Sequence, residues 1–311
     1  MIDVNTAARK RDIRLRRGTN IRGKWHHKVY TVVRLLGSGT VGDVYLCRSQ
    51  GQAVAVKISE QALSMTAEVQ ALKILQTSKV QDSGLGPSLL DVDDWQVSPG
   101  KIYSFYVMEY VAGLSLHSFV KRQGTIYIGI LLCQMLKQLE ELHKIGYVFG
   151  DLKSENIIVT DKPVKIRLID VGGMTKIGRS VKEYTNFYDR AYWRLGKRLA
   201  EPSYDLFAVT MVTLAIFYPG KFLRVEHNGP FLRRKIKEIK SLRLYAPVLE
   251  GALRAAYPSA KAMQDALLKR KQASPSQKGR PAKKSSLVEI VLLATCASLY
   301  YGIYLVLTIG L

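Results

Sequence analysis

Two carboxylates and an amide lie close together in the middle of the chain, each beside an apolar run. They are Asp151, Asn156 and Asp170. The side-chain oxygens of Asn156 and Asp170 are hard donors of the kind that Mg²⁺ accepts together with phosphate oxygens. Asp151 has no metal role left to fill, so its carboxylate can accept the proton of a substrate hydroxyl. The spacing therefore suits a magnesium site next to a general base.

A glycine-rich turn precedes these residues in the chain. Gly37 to Val44 read G-S-G-T-V-G-D-V, with strand-like sequence on both sides. A dinucleotide-binding turn would need a helix after the glycines, so a hairpin that covers phosphates is the better interpretation. The glycines lack a Cβ and let backbone N–H groups approach phosphate oxygens closely.

A lysine ends the next apolar strand, Val54 to Lys57. Its ammonium group must either reach solvent or meet an anion, and ATP phosphates are such an anion. A helix that begins shortly afterwards carries Glu68, the expected carboxylate partner of this lysine. Glu60 is the competing candidate, and a solvated Glu68 is the simpler alternative.

The elements that must position these residues follow from hydrophobic periodicity. Strand patterns dominate the first half of the chain and helix patterns the second, which predicts an α+β fold with two lobes. The strands are expected in residues 30–59 and in a hairpin of 91–96 with 102–108, and the helices in residues 65–76, 126–144 and 204–218. The last helix is wholly apolar behind Asp205 and is therefore expected to be buried.

In this order the motifs resemble those of bacterial Hanks-type (eukaryotic-like) serine/threonine protein kinases. They are G-x-G-x-x-G-x-V at the turn, V-A-V-K at the lysine, D-L-K-x-x-N from Asp151 and D-V-G from Asp170. More closely, the chain resembles the short, membrane-anchored YabT kinases of spore-forming bacilli, which carry one kinase domain and one C-terminal span. The resemblance covers about residues 30–218 and the C-terminal segment, and it implies a bilobal protein-kinase-like fold.

The resemblance also implies ATP and Mg²⁺ as cofactors, cytoplasmic proteins as substrates, and a role for each motif residue. The residues implied to bind ATP are Gly37, Ser38, Gly39, Gly42, Val44, Ala55, Lys57, Met108, Glu109 and Val111. The resemblance makes Glu68 the carboxylate partner of the lysine and Asp151 the catalytic base. It also implies that Lys153 stabilises the transferring phosphoryl group and that Asn156 and Asp170 bind Mg²⁺.

Two stretches depart from the family pattern. Phe149-Gly150-Asp151 stands where the family has H-R-D, so the arginine that pairs with a phosphorylated activation segment is missing. Autophosphorylation at the nearby hydroxyls is expected to modulate activity only modestly; the candidate positions are Thr175, Ser180 and Thr185. Ala191-Tyr192-Trp193 occupies the place of A-P-E.

Three other functions remain open at this stage. A pseudokinase would bind nucleotide without transfer, but it would be expected to lack one of Lys57, Asp151, Asn156 or Asp170, all of which are present. A small-molecule kinase of the same fold is the second alternative. The third is a membrane-tethered nucleic-acid-binding protein in which the kinase core is secondary.

The chain is strongly basic, with 47 Lys and Arg against 25 Asp and Glu and a formal charge of +22. Plotted at 100° per residue, Phe231 to Tyr245 forms a basic amphipathic helix. Its cations, Arg233, Arg234, Lys237 and Lys240 among them, could contact DNA without sequence preference or an anionic membrane, or form a solvated face. Shared DNA would bring molecules together in transient self-association and stimulate the kinase.

The C-terminal residues 287–311 are apolar apart from Glu289 and long enough to cross a bilayer, with a buried core helix as the alternative. The preceding linker, residues 266–286, is basic and rich in Pro and Ser, which predicts a single-pass cell-membrane protein whose other domains are cytoplasmic. No signal peptide or disulfide framework is apparent. The other predicted parts are an N-terminal basic extension, an N-lobe and a reduced C-lobe, at residues 1–29, 30–112 and 113–265.

Overall fold

The computed structural model describes residues 14–273, except residues 40, 61, 79 and 81–83. The chain divides into two compact units, Met1–Leu267 and Leu268–Leu311, and the elements below lie in the first, except that the last helix continues to Ala273. The predicted span at residues 287–311 lies outside the described residues. Among the residues that are described, no helix combines the length and the apolar character needed to cross a membrane.

The N-terminal lobe is built on one antiparallel sheet of six strands. Its strands are β1 (Asn20–Arg22), β2 (Val29–Ser38), β3 (Asp43–Ser49), β4 (Gln52–Ser59), β5 (Leu89–Ser98) and β6 (Lys101–Glu109). They lie in the order β1-β2-β3-β4-β6-β5. One helix, α1 (Ala62–Thr77), packs on the lobe and contacts β6 and β5. The predicted strands and the predicted hairpin are confirmed.

Side chains of the central strands alternate between two faces of this sheet, as pleated strands require. On β4, Val54, Val56 and Ile58 belong to a core cluster on the outer face. Ala55 belongs to a second cluster that continues into the helical lobe. The next residue on that inner face is Lys57, which therefore points towards α1 and the cleft rather than towards solvent.

Strand β1 lies in the stretch that the sequence suggested was an extension outside the core. It pairs with β2, and the Ile21 side chain is fully buried in the outer core cluster. The flanking Asn20 and Arg22 are exposed, so one apolar residue between two polar ones carries the whole strand signal. The sheet therefore begins before residue 30, the predicted lobe boundary.

The C-terminal lobe is helical and is organised around one buried helix. Its helices are α2 (Leu116–Gln123), α3 (Ile128–Lys144), α4 (Pro202–Phe217), α5 (Asn228–Glu238), α6 (Ala246–Leu253) and α7 (Ala260–Ala273). Every residue of α4 from Tyr204 to Ile216 is buried, and the helix contacts α2, α3 and α6. These features confirm the predicted bilobal fold and the predicted buried helix.

Two small sheets carry the loops between α3 and α4. The first contains β7 (Leu114–Ser115), β9 (Ile157–Asp161) and β10 (Val164–Leu168), in the order β10-β9-β7. The second pairs β8 (Tyr147–Val148) with β11 (Thr175–Lys176). The segment between β8 and β9 carries Asp151 and Asn156, and Asp170 follows β10, so short strands bring all three residues to the cleft.

The predicted amphipathic helix over Phe231 to Tyr245 is not a single helix. Helix α5 ends at Glu238, Ile239 is extended, and a short 3₁₀ turn follows at Lys240–Leu242. Leu232, Ile236, Ile239 and Leu242 are all buried in the core, so the apolar face continues across this break in the helix. Separately, α7 runs to Ala273, beyond the predicted start of the linker at residue 266.

Candidate active site

Lys57 forms a buried ion pair with Glu68 of α1. The Lys57 Nζ lies 2.6 Å from both carboxylate oxygens of Glu68. Both residues are nearly inaccessible to solvent, whereas the competing candidate Glu60 is exposed. The structure thus brings together the pair that the sequence suggested, and it anchors α1 to the sheet at this point.

A tyrosine completes this ion pair, and sequence reasoning missed it. The Tyr106 hydroxyl donates to Glu68 Oε2 at 2.7 Å. Tyr106 stands directly opposite Lys57 in the β4–β6 register, so the two side chains share one face of the sheet. Burial and the negative charge of Glu68 raise the pKa of the Tyr106 hydroxyl well above its usual value, which keeps it a donor.

A cavity of about 360 Å³ lies between the sheet and the helical lobe. Nine of the predicted site residues line it: Gly37, Val44, Ala55, Lys57, Met108, Glu109, Val111, Asn156 and Asp170. The walls are apolar near the hinge and carry charged groups at the opposite end. This arrangement fits a nucleotide whose base lies on the apolar part and whose phosphates face Lys57 and Asp170.

The other predicted hairpin residues, Ser38, Gly39 and Gly42, do not line this cavity. Ser38 ends β2, and Gly39 and Gly42 belong to the turn between β2 and β3, where Gly39 N–H donates to Gly42 C=O at 2.9 Å. A Cβ on Gly42 would lie 2.3 Å from the Ile58 carbonyl oxygen, so this position requires glycine because the turn packs tightly on β4.

The carboxylate of the hinge residue Glu109 is already engaged in an ion pair. The side chain of Glu109 is held by Arg167, whose Nη1 and Nη2 lie 2.9 and 2.7 Å from its two oxygens. The hydrogen bond from Arg167 holds the pKa of Glu109 below its usual value, although burial opposes this. This bidentate pair joins the hinge to β10.

The catalytic loop brings three predicted residues together. Lys153 Nζ donates to Asp151 Oδ2, and Asn156 Nδ2 donates to the Asp151 carbonyl at 3.2 Å. Burial opposes the charge on Lys153, but its hydrogen bond to Asp151 and the negative charges of the nearby carboxylates together raise the lysine pKa. Thr185 Oγ1 donates to the other carboxylate oxygen of Asp151 at 2.9 Å. The base is therefore nearly buried and held from two sides.

A fully buried carboxylate, that of Asp205 on α4, holds the catalytic loop in place through hydrogen bonds. Its oxygens accept from Phe149 N at 2.7 Å, from Gly150 N at 3.0 Å and from His143 Nε2 at 2.9 Å. Sequence reasoning used Asp205 only to mark the start of the apolar helix α4. A single carboxylate in front of a wholly apolar run was the signal, because such a group is buried only when donors surround it.

Asn156 and Asp170 fit the divalent metal that this chemistry requires. Both line the cavity, and Asn156 uses its amide nitrogen towards Asp151, which leaves its amide oxygen as the available donor atom. Asp170 Oδ1 accepts from Gly172 N at 3.1 Å. A Cβ on Gly172 would lie 3.2 Å from Glu68 Oε1 and 3.3 Å from Asp170 Oδ1, so the D-V-G turn packs against the ion pair.

The activation segment is held by contacts other than the family's arginine. Gly150 has a φ of +80°, and a Cβ there would lie 2.4 Å from the Gly173 carbonyl oxygen. At the far end of the segment, Asp189 is fully buried and accepts from the Tyr204 hydroxyl at 3.0 Å and from Arg198 Nε at 2.7 Å. These contacts hold the far end of the segment against α4.

The three candidate phosphosites differ in accessibility. Thr175 is fully buried and its hydroxyl donates to Gly173 C=O at 2.8 Å. Thr185 is half-buried on Asp151, and Ser180 is exposed. The geometry favours Ser180 over the other two as an acceptor, and the phosphorylation itself stays a prediction.

A profile described as the protein kinase domain matches residues 30–275. The chain belongs to the protein kinase family. This kinase is 43% identical over 272 residues to the serine/threonine-protein kinase YabT of Bacillus subtilis, with 87% of this chain and 80% of that protein covered. Family and relative together make the chain an ATP-dependent serine/threonine protein kinase that uses a divalent metal.

Solved structures confirm the kinase fold. The structure of vaccinia related kinase 3 superposes with a TM-score of 0.59 at 18% identity and covers 84% of this chain and 92% of that one. The kinase domain of Mycobacterium tuberculosis PknI gives a TM-score of 0.54 at 18% identity over 83% of this kinase and 100% of that chain. At this level of identity the likeness concerns the fold alone.

Proposed function

We propose that this kinase is anchored in the cell membrane by residues 287–311 and keeps its catalytic domain in the cytoplasm. It uses Mg²⁺ with ATP, phosphorylates its own copies and is stimulated by DNA. The apolar composition of that segment and the seven cations in residues 269–284 support the anchor and its orientation. The observation that carries active transfer is the assembled Lys57–Glu68 pair, together with Asp151 in contact with Thr185 and Lys153.

Each charged group of the site has a distinct task in the transfer. Asp151 accepts the proton of the acceptor hydroxyl, whose oxygen forms a bond to the γ-phosphorus while the bond to the bridging β–γ oxygen breaks and ADP leaves. Lys57 binds the α- and β-phosphates, and Lys153 compensates charge on the transferring group. Asn156 and Asp170 would hold the metal, which supplies positive charge to the phosphates when bound.

The activity test uses the full-length protein in detergent micelles with labelled ATP and Mg²⁺, alone and with a generic acceptor protein. Label on serine or threonine of both proteins is expected, and the Asp151→Asn variant is the matched control. Binding of ATP with no transfer by the wild-type protein would instead indicate a pseudokinase. A mixture of tagged active and inactive copies reports whether one copy phosphorylates another.

The basic face of the helical lobe supports a polyanion as the stimulus. Arg234 and Lys237 of α5 are exposed, as is Lys240 in the following 3₁₀ turn, and Arg233 of α5 is half-buried. Glu238 lies 3.7 Å from Arg234, and Glu250 lies 3.7 Å from Lys237, so two of these cations are partly compensated. We expect a shared contact with the basic segments at both ends of the chain, because this face alone carries few free charges.

DNA binding and stimulation are measured together in a titration with DNA of arbitrary sequence. If six to ten phosphates are contacted, affinity falls by about 10³–10⁵ between 50 and 200 mM salt. Charge reversal at the cations of this face is expected to weaken both effects and to leave basal transfer unchanged; the positions are Arg233, Arg234, Lys237 and Lys240. Reversal at the exposed Lys162 and Lys165 is the control. Stimulation by anionic vesicles alone would assign the face to the membrane.

A further inference from the structure

An ion pair lies at the mouth of the active-site cleft, beside the catalytic base. Lys221 Nζ lies 2.8 Å from Glu155 Oε1. Glu155 lies on the catalytic loop two residues after Lys153, and it lines the same cavity as Asn156 and Asp170. A protein segment whose hydroxyl reaches Asp151 therefore passes this pair within a few residues of the acceptor.

Contacts on both sides hold the pair in this position. The Tyr188 hydroxyl donates to Glu155 Oε2 at 3.1 Å and shares a hydrogen bond of 2.7 Å with Ser154 Oγ. The Lys221 ammonium group lies 5.0 Å from the centroid of the Tyr188 ring and 5.8 Å from that of Phe187. Cation–π contacts and the ion pair together fix the lysine over the end of the activation segment.

The backbone of Lys221 is strained. Its φ is +53°, a left-handed conformation that costs free energy for a residue with a side chain. The residue follows Gly220, and its N–H donates to the Tyr218 carbonyl at 2.8 Å in the turn after α4. Glycine would occupy this conformation without strain. The contacts that the Lys221 side chain makes at the cleft therefore have to offset the free energy of the strained backbone.

The pair removes the negative charge that Glu155 would otherwise present to a substrate. Burial opposes the charge on both groups, yet their mutual hydrogen bond raises the pKa of Lys221 and lowers that of Glu155, so both stay charged.

In residues 171–200, all of which are described, Glu183 is the one exposed carboxylate, whereas the exposed cations are Lys176, Arg179, Lys182, Arg194, Lys197 and Arg198. Arg198 is paired with the buried Asp189.

We propose that Lys221 determines acceptor specificity: by neutralising Glu155 it makes the enzyme select serine or threonine flanked by acidic residues rather than by basic ones. The inference rests on the serine/threonine transfer described above and adds the class of acceptor. Acidic flanks meet the cationic activation segment, in which Glu183 is the one exposed carboxylate, and basic flanks meet a Glu155 that is already neutralised. Removal of Lys221 exposes Glu155 and reverses the preference.

Two synthetic peptides with the same central threonine, one flanked by glutamates and one by arginines, test this with the full-length enzyme. The ratio of kcat/KM values for the acidic and basic peptides is expected to be about ten in the wild type and to fall below one in Lys221→Ala. Alanine has a Cβ, so it keeps the backbone strain of position 221. The double variant Lys221→Ala with Glu155→Gln removes both charges and is expected to restore an acidic preference.

Lys235→Ala is the matched control. Lys235 also pairs with a glutamate at 2.8 Å, that of Glu238, and lies 5.1 and 5.9 Å from the centroids of two aromatic rings, but it is on α5. This variant is expected to keep the wild-type ratio.

Three outcomes overturn the inference. A wild-type ratio near one, with phosphate transfer to both peptides, overturns it and leaves the kinase function intact. A change in DNA stimulation in Lys221→Ala with an unchanged peptide ratio assigns the lysine to nucleic acid instead. Absence of transfer from the wild-type enzyme to peptides, to a generic acceptor and to itself would overturn the proposed function as well.

Discussion

The hydroxyl of Thr185 donates a hydrogen bond of 2.9 Å to the carboxylate of Asp151, across 34 positions of sequence. The contact joins the activation segment directly to the catalytic base. Since the other oxygen of Asp151 is held by Lys153, the position of the base depends on the conformation of both segments. Order in the activation segment is thus coupled to catalysis without a phosphate.

Replacement of Thr185 tests this coupling. Thr185→Ala is expected to lower kcat about fivefold, the size of one orienting hydrogen bond, and Thr185→Ser is expected to restore it. Ser180→Ala, at the exposed candidate phosphosite, is expected to change kcat only slightly. Measurement of kcat for all three variants by steady-state kinetics tests whether the hydrogen bond orients the base. An equal loss in Ser180→Ala would show that phosphorylation, and not the hydrogen bond, controls the segment.

Asp151→Asn should separate nucleotide binding from transfer. Asp151 does not line the nucleotide cavity, so the variant should bind ATP normally while kcat falls by about 10²–10⁴-fold. Lys57→Ala and Asp170→Asn should lose transfer through weaker phosphate and metal contacts. ATP affinity by calorimetry and single-turnover transfer report the two effects, and Glu60→Gln serves as the control. Wild-type turnover in Asp151→Asn would remove the base assignment.

Asp205→Ala should destabilise the protein because it leaves three buried donors without an acceptor. At roughly 1–3 kcal/mol for each unsatisfied group, a loss of at least about 3 kcal/mol of unfolding free energy is expected. Thermal and urea unfolding measure it. Asp161→Ala removes an ion pair with Arg122 in which both side chains are 52% exposed, and it should cost less than about 1 kcal/mol. Similar losses in both variants would contradict the anchoring role of Asp205.

The Glu109–Arg167 pair should make part of the stability depend on pH. The pKa of Glu109 is lowered in the folded protein, so the pair contributes stability above the unfolded pKa of about 4.3, and this contribution is lost as the pH falls through the folded value. Urea unfolding between pH 6 and pH 3.5 should show a smaller decline in Arg167→Gln than in the wild type. Parallel curves would indicate that the pair is already broken in solution.

Local motifs were enough to predict the residues around the nucleotide. Lys57, Asn156 and Asp170 each stand in or next to an apolar strand, and a lysine in such a strand already indicates an anion nearby. The fold class followed from the change of period between the two halves of the chain. These features are local, so a single sequence carries them.

Contacts between distant segments could not be predicted in the same way. Thr185 meets Asp151 and Lys221 meets Glu155 only because separate loops converge, and no spacing in the sequence reports this. The helical period of this stretch continues beyond Glu238 although the helix ends there, so the period alone did not predict where the helix stops. Strand β1 was not predicted because it lies within a basic stretch and carries a single buried apolar side chain, that of Ile21.

The close approach of Gly150 to Gly173 has a consequence for how this enzyme can change over time. A Cβ at position 150 would lie 2.4 Å from a backbone oxygen, and backbone cannot move aside as a flexible side chain can. An arginine at position 150 would therefore need a shift of the peptide at position 173 as well. A single substitution at position 150 is not expected to give this enzyme the phosphate-reading arginine of its family.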